Sequence, residues 1–214
     1  MPVIFKPERY LINLQIKKFA HYIKGDILDV GAGKSDRYSN LFNKKKYVTT
    51  DQNPNFDVDI VANAQNLPID NESYDSVIST QTLEHLPDPQ KAVKEFYRVI
   101  KKGGYCLVTV PFFNELHDEP FDFWRFTKYS LEKIFKDSGF KIVILEQRGG
   151  FFAVICQLVV RYLINKFDLA KKRWGKLANP FFKVFAKIMF FLDEMDNNQK
   201  NRKFALGWLV LAQK

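Results

Sequence analysis

The chain has 214 residues, of which 46% are hydrophobic and 27% charged, and a net charge of +9. This balance predicts one globular domain with a full core and excludes an intrinsically disordered chain. The two cysteines, Cys106 and Cys156, stand far apart in apolar contexts. They argue against a disulfide scaffold and favour a reducing, cytoplasmic setting.

The positive charge is unevenly placed. Residues 1–140 hold 19 basic and 19 acidic side chains, whereas residues 141–214 hold 14 basic and 5 acidic ones. This asymmetry favours an anionic partner on one face, although a basic face that only aids solubility has the same pattern. Lys6–Arg9 interrupts any apolar leader, and the apolar run 151–160 is shorter than the roughly 20 residues that span a bilayer. A soluble or peripheral protein is therefore expected.

The predicted elements alternate along the chain. A helix is predicted over 11–22, and apolar runs predict strands over 26–30, 46–50, 57–62, 74–79, 105–110 and 140–146. Between them, three helices are predicted. The first covers 35–43, and the second runs from Asp88-Pro89 to Ile100 and is ended by Lys101–Gly104. The third covers 127–138 and is ended by Gly139. This alternation predicts βαβ units and a doubly wound α/β sheet.

The last third has a different composition. Residues 151–167 and 180–192 are helical in pattern, and residues 205–212 return to strand composition. The simplest topology makes the last two strands neighbours that are separated by a helical insertion.

Three segments point to a nucleoside cofactor at the carboxyl ends of the strands. They are the glycine turn Asp29–Gly33, the acid Asp51 after the second strand, which suits ribose hydroxyls, and Asn63-Ala64 after the third strand, which suits an adenine edge. A dinucleotide site would need a third glycine where Asp36 stands, and an acid there would repel a pyrophosphate. The pattern therefore favours S-adenosylmethionine (SAM) over NAD.

Four ordered motifs resemble those of class I SAM-dependent methyltransferases. Ile27–Gly33 resembles motif I, Leu67–Asp75 the "LPF-x-D-x-SFD" segment of ubiquinone and menaquinone methyltransferases, Leu83–Leu86 their "LEHL" signature, and Arg98–Gly104 their "RVLKPGG" signature. The resemblance covers residues 26–146. It implies a seven-stranded Rossmann-like sheet whose last strand, residues 204–212, is antiparallel.

The resemblance also implies the cofactor contacts. Asp29, Gly31 and Gly33 would line the methionine portion, and Thr80 with Gln81 would lie beneath the sulfonium. Two positions depart from the family: Ser35 stands in place of a frequent third glycine, and Asn63 in place of a frequent aspartate. The amide oxygen of Asn63 can still accept a hydrogen bond from the adenine amino group. The predicted SAM-binding residues are Asp29, Gly31, Ala32, Gly33, Asp51, Gln52, Asn63, Ala64, Thr80 and Gln81.

The segment 111–127 resembles an "H-x-x-P-x-DFWRFT" stretch of bacterial methyltransferases associated with surface-glycan or lipid pathways. If the acceptor is a hydroxyl, a base helps, and the imidazole of His117 is the best candidate. A brace for the loop is its alternative role. Asp122 and Arg125 are predicted either to clamp the substrate or to form a structural ion pair. The three histidines, His21, His85 and His117, show no ligand spacing, so no metal site is predicted.

The basic, aromatic stretch 148–203 has two compatible interpretations. It is a lid over the substrate pocket, or it contacts an anionic membrane through lysines and arginines set among aromatic residues. No nucleic-acid-binding module is recognisable, so nucleic acid is the least favoured partner. The basic side chains considered are Lys166, Lys171, Lys172, Arg173, Lys176, Lys183 and Lys187.

The sequence thus predicts SAM-dependent methyl transfer to a small molecule, at a hydroxyl of a sugar or lipid-linked group. The alternatives are C-methylation of a quinone-like ring and a scaffold that binds SAM without catalysis. The predicted organisation is an N-terminal helix (1–25), a SAM-binding core (26–147), a helical insertion or lid (148–203) and the last strand of the core sheet (204–214).

Overall fold

The computed structural model describes residues 4–34, 37–171, 175, 177–198 and 201–214. Ser35 and Asp36, on which two of the sequence arguments rest, lie outside the described residues, as do Lys172, Arg173 and Lys176 of the basic stretch.

Seven strands form one mixed sheet in the order β3-β2-β1-β4-β5-β7-β6. Strands β1 to β5 pair in parallel, whereas β7 lies between β5 and β6 and runs antiparallel to both. This confirms the predicted fold class, the antiparallel last strand and its position next to β6. The strands are β1 (Lys24–Val30), β2 (Asn43–Asp51), β3 (Ile60–Val61), β4 (Tyr74–Thr80), β5 (Ile100–Pro111), β6 (Lys141–Arg148) and β7 (Gly207–Gln213).

Helices α2 and α3 begin at capping residues. The Asp88 side chain accepts a hydrogen bond from the Lys91 amide, and Thr127 caps the next helix through the Ser130 amide. Both starts match the sequence prediction. The helices are α1 (Pro7–Phe19), α2 (Pro89–Val99), α3 (Lys128–Asp137), α4 (Phe151–Lys166) and α5 (Ala178–Met195).

The strand order indicates where a ligand would bind. The chain moves outward from β1 through β2 to β3 on one side and from β4 to β5 on the other, so the order reverses between β1 and β4. Crevices at such a reversal, outside the carboxyl ends of the strands, are the usual ligand sites of open α/β sheets. The buried apolar runs of β1 and β4 make this central part of the sheet a rigid support.

Three local predictions differ from the structure. In place of a helix over 35–43, the described part of this segment contains a 3-10 turn, Ser39–Leu41, because Asn43 already pairs with Lys24 as the start of β2. Helix α2 ends at Val99, and residues 101–104 belong to β5. A side chain at Gly104 would lie 2.5 Å from the Asp75 carbonyl oxygen, so this glycine serves a close approach of strands and not a helix end. The predicted third strand is also reduced to Ile60–Val61.

The chain divides into two compact units. One comprises the described residues within Gln15–Pro111, Leu116–Glu146 and Trp208–Lys214, and it holds most of the sheet. The other comprises those within Met1–Leu14, Phe112–Glu115 and Gln147–Gly207, and it holds α4 and α5. In the second unit the two helices share an apolar core that includes Val160, Ile164 and Phe182.

The Asp193 side chain of α5 accepts hydrogen bonds from the amides at the amino end of α4. Its carboxylate accepts hydrogen bonds from the amides of Gly150, Phe152 and Ala153, each at 2.8 Å. These amides have no partner within their own helix. Within the described residues, none of the helices combines the length and the apolar character needed to cross a bilayer.

Candidate active site

The glycine turn after β1 is tied to the end of β2. The amides of Gly31 and Ala32 both donate to the Thr50 carbonyl, at 2.9 and 3.0 Å. Gly31 has a φ of +76°, and a side chain there would lie 2.3 Å from the Thr82 hydroxyl. Only glycine fits both the backbone conformation and the neighbour. The turn therefore keeps the backbone close to the switch point between β1 and β4.

Asp51 is held at the end of β2 by two backbone amides. Its Oδ2 accepts from Gly33 at 3.0 Å, and its Oδ1 accepts from Asn53 at 2.9 Å. A carboxylate offers about four lone-pair positions, so each oxygen keeps one for a ligand hydroxyl. The sequence motif and the predicted ribose acid are thus parts of one hydrogen-bonded structure.

A cavity of about 370 Å³ opens at this edge of the sheet. It combines the polar rim of Asp51 and the glycine turn with apolar side chains, and part of the loop 111–127 reaches it. Its volume falls within the range of about 300–1,000 Å³ that is typical of small-molecule sites. The lining residues are Gly31, Gly33, Asp51, Gln52, Asn53, Phe56, Ala62, Ala64, Gln81, Thr82, His85, Leu86, Asp118 and Phe121.

Six of the predicted cofactor residues line this cavity: Gly31, Gly33, Asp51, Gln52, Ala64 and Gln81. The other four lie nearby but are not among the described residues of its lining: Asp29, Ala32, Asn63 and Thr80.

Two of these four are engaged elsewhere. Asp29 is buried and accepts a hydrogen bond from the Tyr47 hydroxyl at 2.7 Å. The side-chain oxygen of Asn63 accepts from the Gln65 amide at 2.9 Å and faces the Gln65 side-chain amide at 3.4 Å. That oxygen is the atom the sequence analysis assigned to adenine. In this structure it shapes the turn that carries Ala64.

Next to the cavity, the structure brings Glu84, His85 and His117 together. The Glu84 side chain is fully buried, and its Oε1 lies 3.9 Å from His85 Nε2 and 4.0 Å from His117 Nε2. The two imidazole rings meet edge to face with centroids 4.9 Å apart. The spacing of the histidines in the sequence did not predict that His85 and His117 lie together.

Asp122 fixes His117 from the opposite side. Its Oδ2 accepts from the His117 amide at 3.0 Å and lies 3.3 Å from His117 Nδ1. Burial of Asp122 opposes its ionisation, but hydrogen bonds from Arg125 and from the His117 amide outweigh that and lower its pKa to about 2. Arg125 binds both carboxylate oxygens, at 2.6 and 2.7 Å. Asp122 and Arg125 thus form an ion pair that supports His117.

The aromatic part of the loop holds the "LEHL" turn. The Glu84 carbonyl accepts from the amides of Phe123 and Trp124, at 2.9 and 3.2 Å, and the Trp124 indole donates to the Leu86 carbonyl at 2.8 Å. Two motifs that are separate in the sequence therefore form one substructure, which carries Glu84 and His85.

Several lining residues were not predicted from the sequence, notably His85, Asp118 and Phe121. All three lie in motifs that were singled out in the sequence, so the available signal was the motif and not the residue type. A further signal is visible only in the backbone. Gln81 and Asp118 have φ values of 54° and 52°, which is strained for residues other than glycine. Glu72 and Asp168 have similar φ values but do not line the cavity, so this backbone signal adds to the geometry and does not replace it.

Comparison with known proteins agrees with this geometry. A family model described as a methyltransferase domain matches residues 28–108. The 2-methyl-6-phytyl-1,4-hydroquinone methyltransferase 2, chloroplastic, of Oryza sativa subsp. japonica is 34% identical over 90 residues, which are 40% of this chain and 26% of the relative. A ubiquinone/menaquinone biosynthesis C-methyltransferase of Rhizobium etli is 34% identical over 108 residues, 49% of this chain and 36% of that protein. The chain thus matches well under half the length of these relatives.

A solved structure extends the similarity to the whole sheet. Phosphoethanolamine N-methyltransferase 2 of Haemonchus contortus, in complex with S-adenosyl-L-methionine, superposes with a TM-score of 0.61 at 20% identity. The alignment covers 97% of this chain and 56% of that one. At such identity the likeness establishes the fold. The chain therefore shares the fold of this SAM-bound methyltransferase, and its residues 28–108 match the model of a methyltransferase domain.

Proposed function

We propose that the chain transfers a methyl group from SAM to an oxygen of a small-molecule acceptor, a hydroxyl of a sugar or of a lipid-linked group. The observation that carries this proposal is the convergence of Glu84, His85 and Asp118 beside the mouth of the cavity. Polar and ionisable groups at this place suit a hydroxyl that must be oriented and lose its proton.

The cavity residues fit the cofactor. Asp51 offers two carboxylate oxygens to ribose hydroxyls, and the side chains of Phe56, Ala62 and Leu86 offer apolar surface to an adenine ring. SAM, when bound, would supply a methyl group attached to a positively charged sulfur. The backbone at Gly33 leaves room for the chain of the cofactor to lie close to the turn, because a side chain there would meet no atom within 4 Å.

His117 is the proposed base for the acceptor hydroxyl. Asp122 Oδ2 lies 3.3 Å from Nδ1 of its ring, which leaves Nε2 to accept a proton. His117 is not among the described residues that line the cavity, but its ring contacts His85, which does line it. Arg125 acts through Asp122, as a positioning residue. His117→Ala should therefore abolish most of the turnover while leaving SAM affinity within about twofold, and unchanged turnover would exclude His117 as the base.

Calorimetric titration with SAM and with S-adenosylhomocysteine tests the cofactor assignment. Loss of a charge-assisted hydrogen bond costs about 1.5–3 kcal/mol, so Asp51→Ala should weaken binding by roughly 10- to 100-fold. Asp57→Ala, an exposed carboxylate on the same loop, is the matched control and should bind like the wild type. Failure of the wild-type chain to bind either compound would overturn the proposed function.

C-methylation of a quinone-like ring is the second candidate. The named activities of both relatives favour it, as do Phe56, Leu86 and Phe121 in the cavity lining. Incubation with methyl-labelled SAM and parallel panels of glycolipids and quinols would separate the two, because mass spectrometry locates the label on oxygen or on ring carbon. Label on a quinol ring alone would replace the hydroxyl proposal with this one.

We further propose that α5 associates with an anionic membrane surface. Five large apolar side chains at spacings of three and four residues lie 54–64% exposed along this helix, and the exposed Lys183 and Lys187 accompany them. Such a stripe with flanking cations suits an anionic interface. The apolar residues are Phe181, Val184, Ile188, Phe191 and Met195.

Flotation with vesicles tests this association. The chain should float with vesicles that contain phosphatidylserine and not with neutral ones. The double variant Ile188→Ser with Phe191→Ser should remain in the unbound fraction. Tyr129→Ser, which removes an exposed aromatic residue from α3, is the control and should float. Self-association through the stripe, without any binding to anionic vesicles, would contradict the proposal.

A further inference from the structure

We propose that Glu84, His85 and His117 form a binding site for a divalent transition-metal cation. One potential ligand atom from each of the three residues lies within 4.8 Å of the others. Two imidazole nitrogens and one carboxylate oxygen are a ligand set that zinc and its first-row neighbours accept, with positions left for exogenous oxygen ligands. The role of the cation in catalysis rests on the proposed function, whereas the binding site itself rests on these three residues alone.

The hydrogen bonds on the far side of each ring set the tautomers. His85 Nδ1 lies 2.9 Å from the Phe121 carbonyl oxygen, which can only accept, so Nδ1 carries the hydrogen. His117 Nδ1 lies 3.3 Å from the Asp122 carboxylate. In both rings Nε2 then presents its lone pair toward Glu84. Histidines that bind metals are held in this way, by a carbonyl or carboxylate on the other ring nitrogen.

The three ligand atoms lie close together. Glu84 Oε1 is 3.9 and 4.0 Å from the two Nε2 atoms, and the ligand atoms of all three residues lie within 4.8 Å of one another. Metal–nitrogen and metal–oxygen bonds of about 2.0–2.2 Å hold two ligands of one ion at most about 4.4 Å apart. Binding of an ion would therefore draw the three side chains slightly closer together.

The site would face the cofactor cavity. His85 belongs to the cavity lining, and Asp118, another lining residue with its side chain 82% exposed, places Oδ2 3.9 Å from His85 Nε2. A cation here would hold an oxygen of the acceptor beside the transfer site. A metal-bound hydroxyl would lose its proton more readily, so a weak base such as the Asp118 carboxylate would suffice to accept it. With the cation bound, His117 would act as a ligand in place of the base. The substrate class that fits is an oxygen acceptor, best one with two neighbouring hydroxyls that both reach the cation.

Titration with Co²⁺ alone tests the site without any acceptor. The chelator-treated chain should bind one Co²⁺ with visible absorption bands of a nitrogen- and oxygen-ligated ion, and Zn²⁺ should displace it. Glu84→Gln and His117→Ala should each weaken Co²⁺ binding at least 100-fold, and Asp122→Asn, beyond the ligands, about 10- to 100-fold. His21→Ala, an exposed histidine outside the cluster, should bind like the wild type.

Circular dichroism and a thermal unfolding curve for each variant separate lost binding from lost folding. Absence of saturable Co²⁺ and Zn²⁺ binding by the folded wild type would overturn the inference, as would equal binding by the His117→Ala variant and the wild type. SAM binding is measured separately on the same samples. A chain that binds SAM but no metal would refute only this inference, and one that binds metal but no SAM would refute only the proposed function.

Discussion

Arg98 shows how one side chain connects two sequence motifs. From α2 it donates to the carbonyls of Leu67 and Ile69, at 3.0 and 2.6 Å, and it forms an ion pair with Glu95 at 2.7 Å. Glu95 in turn accepts from the Leu67 amide. The "RVIKKGG" and "LPIDNESYD" segments that resemble methyltransferase signatures are therefore joined structurally, away from the cofactor cavity.

Arg98→Ala should lower the free energy of unfolding by about 2 kcal/mol, because it removes charged hydrogen bonds and leaves carbonyls without their donor. Urea denaturation measures this difference. Lys94→Ala, on the exposed face of the same helix, should change the free energy by less than about 0.5 kcal/mol. Equal effects of the two substitutions would show that the Arg98 contacts do not stabilise the fold.

Glu95 makes part of the stability depend on pH. The hydrogen bond from Arg98 lowers the pKa of Glu95 below its ordinary value. A carboxylate with a lowered pKa stabilises the folded state above its unfolded pKa of about 4.3, and this contribution is lost as the pH falls through the lower folded value. Glu95→Gln should thus be less stable than the wild type at pH 7, and the difference should shrink between pH 5 and 3.

Denaturation curves at a series of pH values measure the Glu95 effect. Glu194→Gln, a substitution at an exposed carboxylate, is the reference. A stability difference between the Glu95 variant and the wild type that stays constant down to pH 3 would contradict the assignment.

At the residue scale, the sequence predicted what is local. The glycine turn and Asp51 are adjacent to their strands, so a pattern of a few residues identifies them. The meeting of His85 with His117 could not be predicted from spacing, since it depends on the loop 111–127 folding back to place its backbone against the Glu84 carbonyl. The role of Asn63 was not predicted either, because its side-chain oxygen accepts a hydrogen bond from the Gln65 amide within a turn.

At the scale of elements, the two helix starts that carry a capping residue were predicted well, whereas α1 begins at Pro7, four residues before its predicted start. Asp88-Pro89 and Thr127 are capping signals that act within one turn, and α2 buries the predicted apolar face. The errors arose where pairing between strands overrode local propensity. Residues 43–46 extend β2 because β1 lies beside them, and Gly103 and Gly104 belong to β5 because they exchange backbone hydrogen bonds with Lys214. Neither partner is visible in the local sequence.

Asp193→Ala tests the connection between α5 and the start of α4. Loss of a helix cap costs about 0.5–2 kcal/mol, and the Asp193 carboxylate accepts three amides, so a loss of about 2 kcal/mol is expected. Thermal or urea unfolding measures it. Asp137→Ala removes an exposed ion pair with Lys133 and should cost at most about 0.5 kcal/mol. A smaller effect at Asp193 than at Asp137 would exclude the capping role.

At the scale of the whole molecule, the alternation of strands and helices was enough to predict the sheet, whereas the antiparallel last strand came from the resemblance to a family. The division into two compact units was not foreseen in this form, because it joins N-terminal residues with the segment 147–207. Packing between distant parts of the chain determines such units, and a sequence pattern carries no record of it.

Each compact unit holds one buried thiol, Cys106 in β5 and Cys156 in α4. Burial raises the pKa of both thiols, that of Cys156 to about 12. Because only the thiolate reacts, a disulfide reagent at pH 8 should label the native chain at least about 100-fold more slowly than the unfolded chain. Unfolding in urea should release both thiols, and rapid labelling of either in the native state would contradict the burial.

The position of β7 has a consequence for biosynthesis. It separates β5 from β6, although it follows β6 in the chain by the whole length of α4 and α5. Since a nascent chain emerges from its amino end, β6 is made while the neighbouring edges of β5 and β6 still expose unpaired amides and carbonyls. The gap between them has to stay open for a strand not yet synthesised. The ribosome thus delivers a sheet that stays incomplete until β7 emerges.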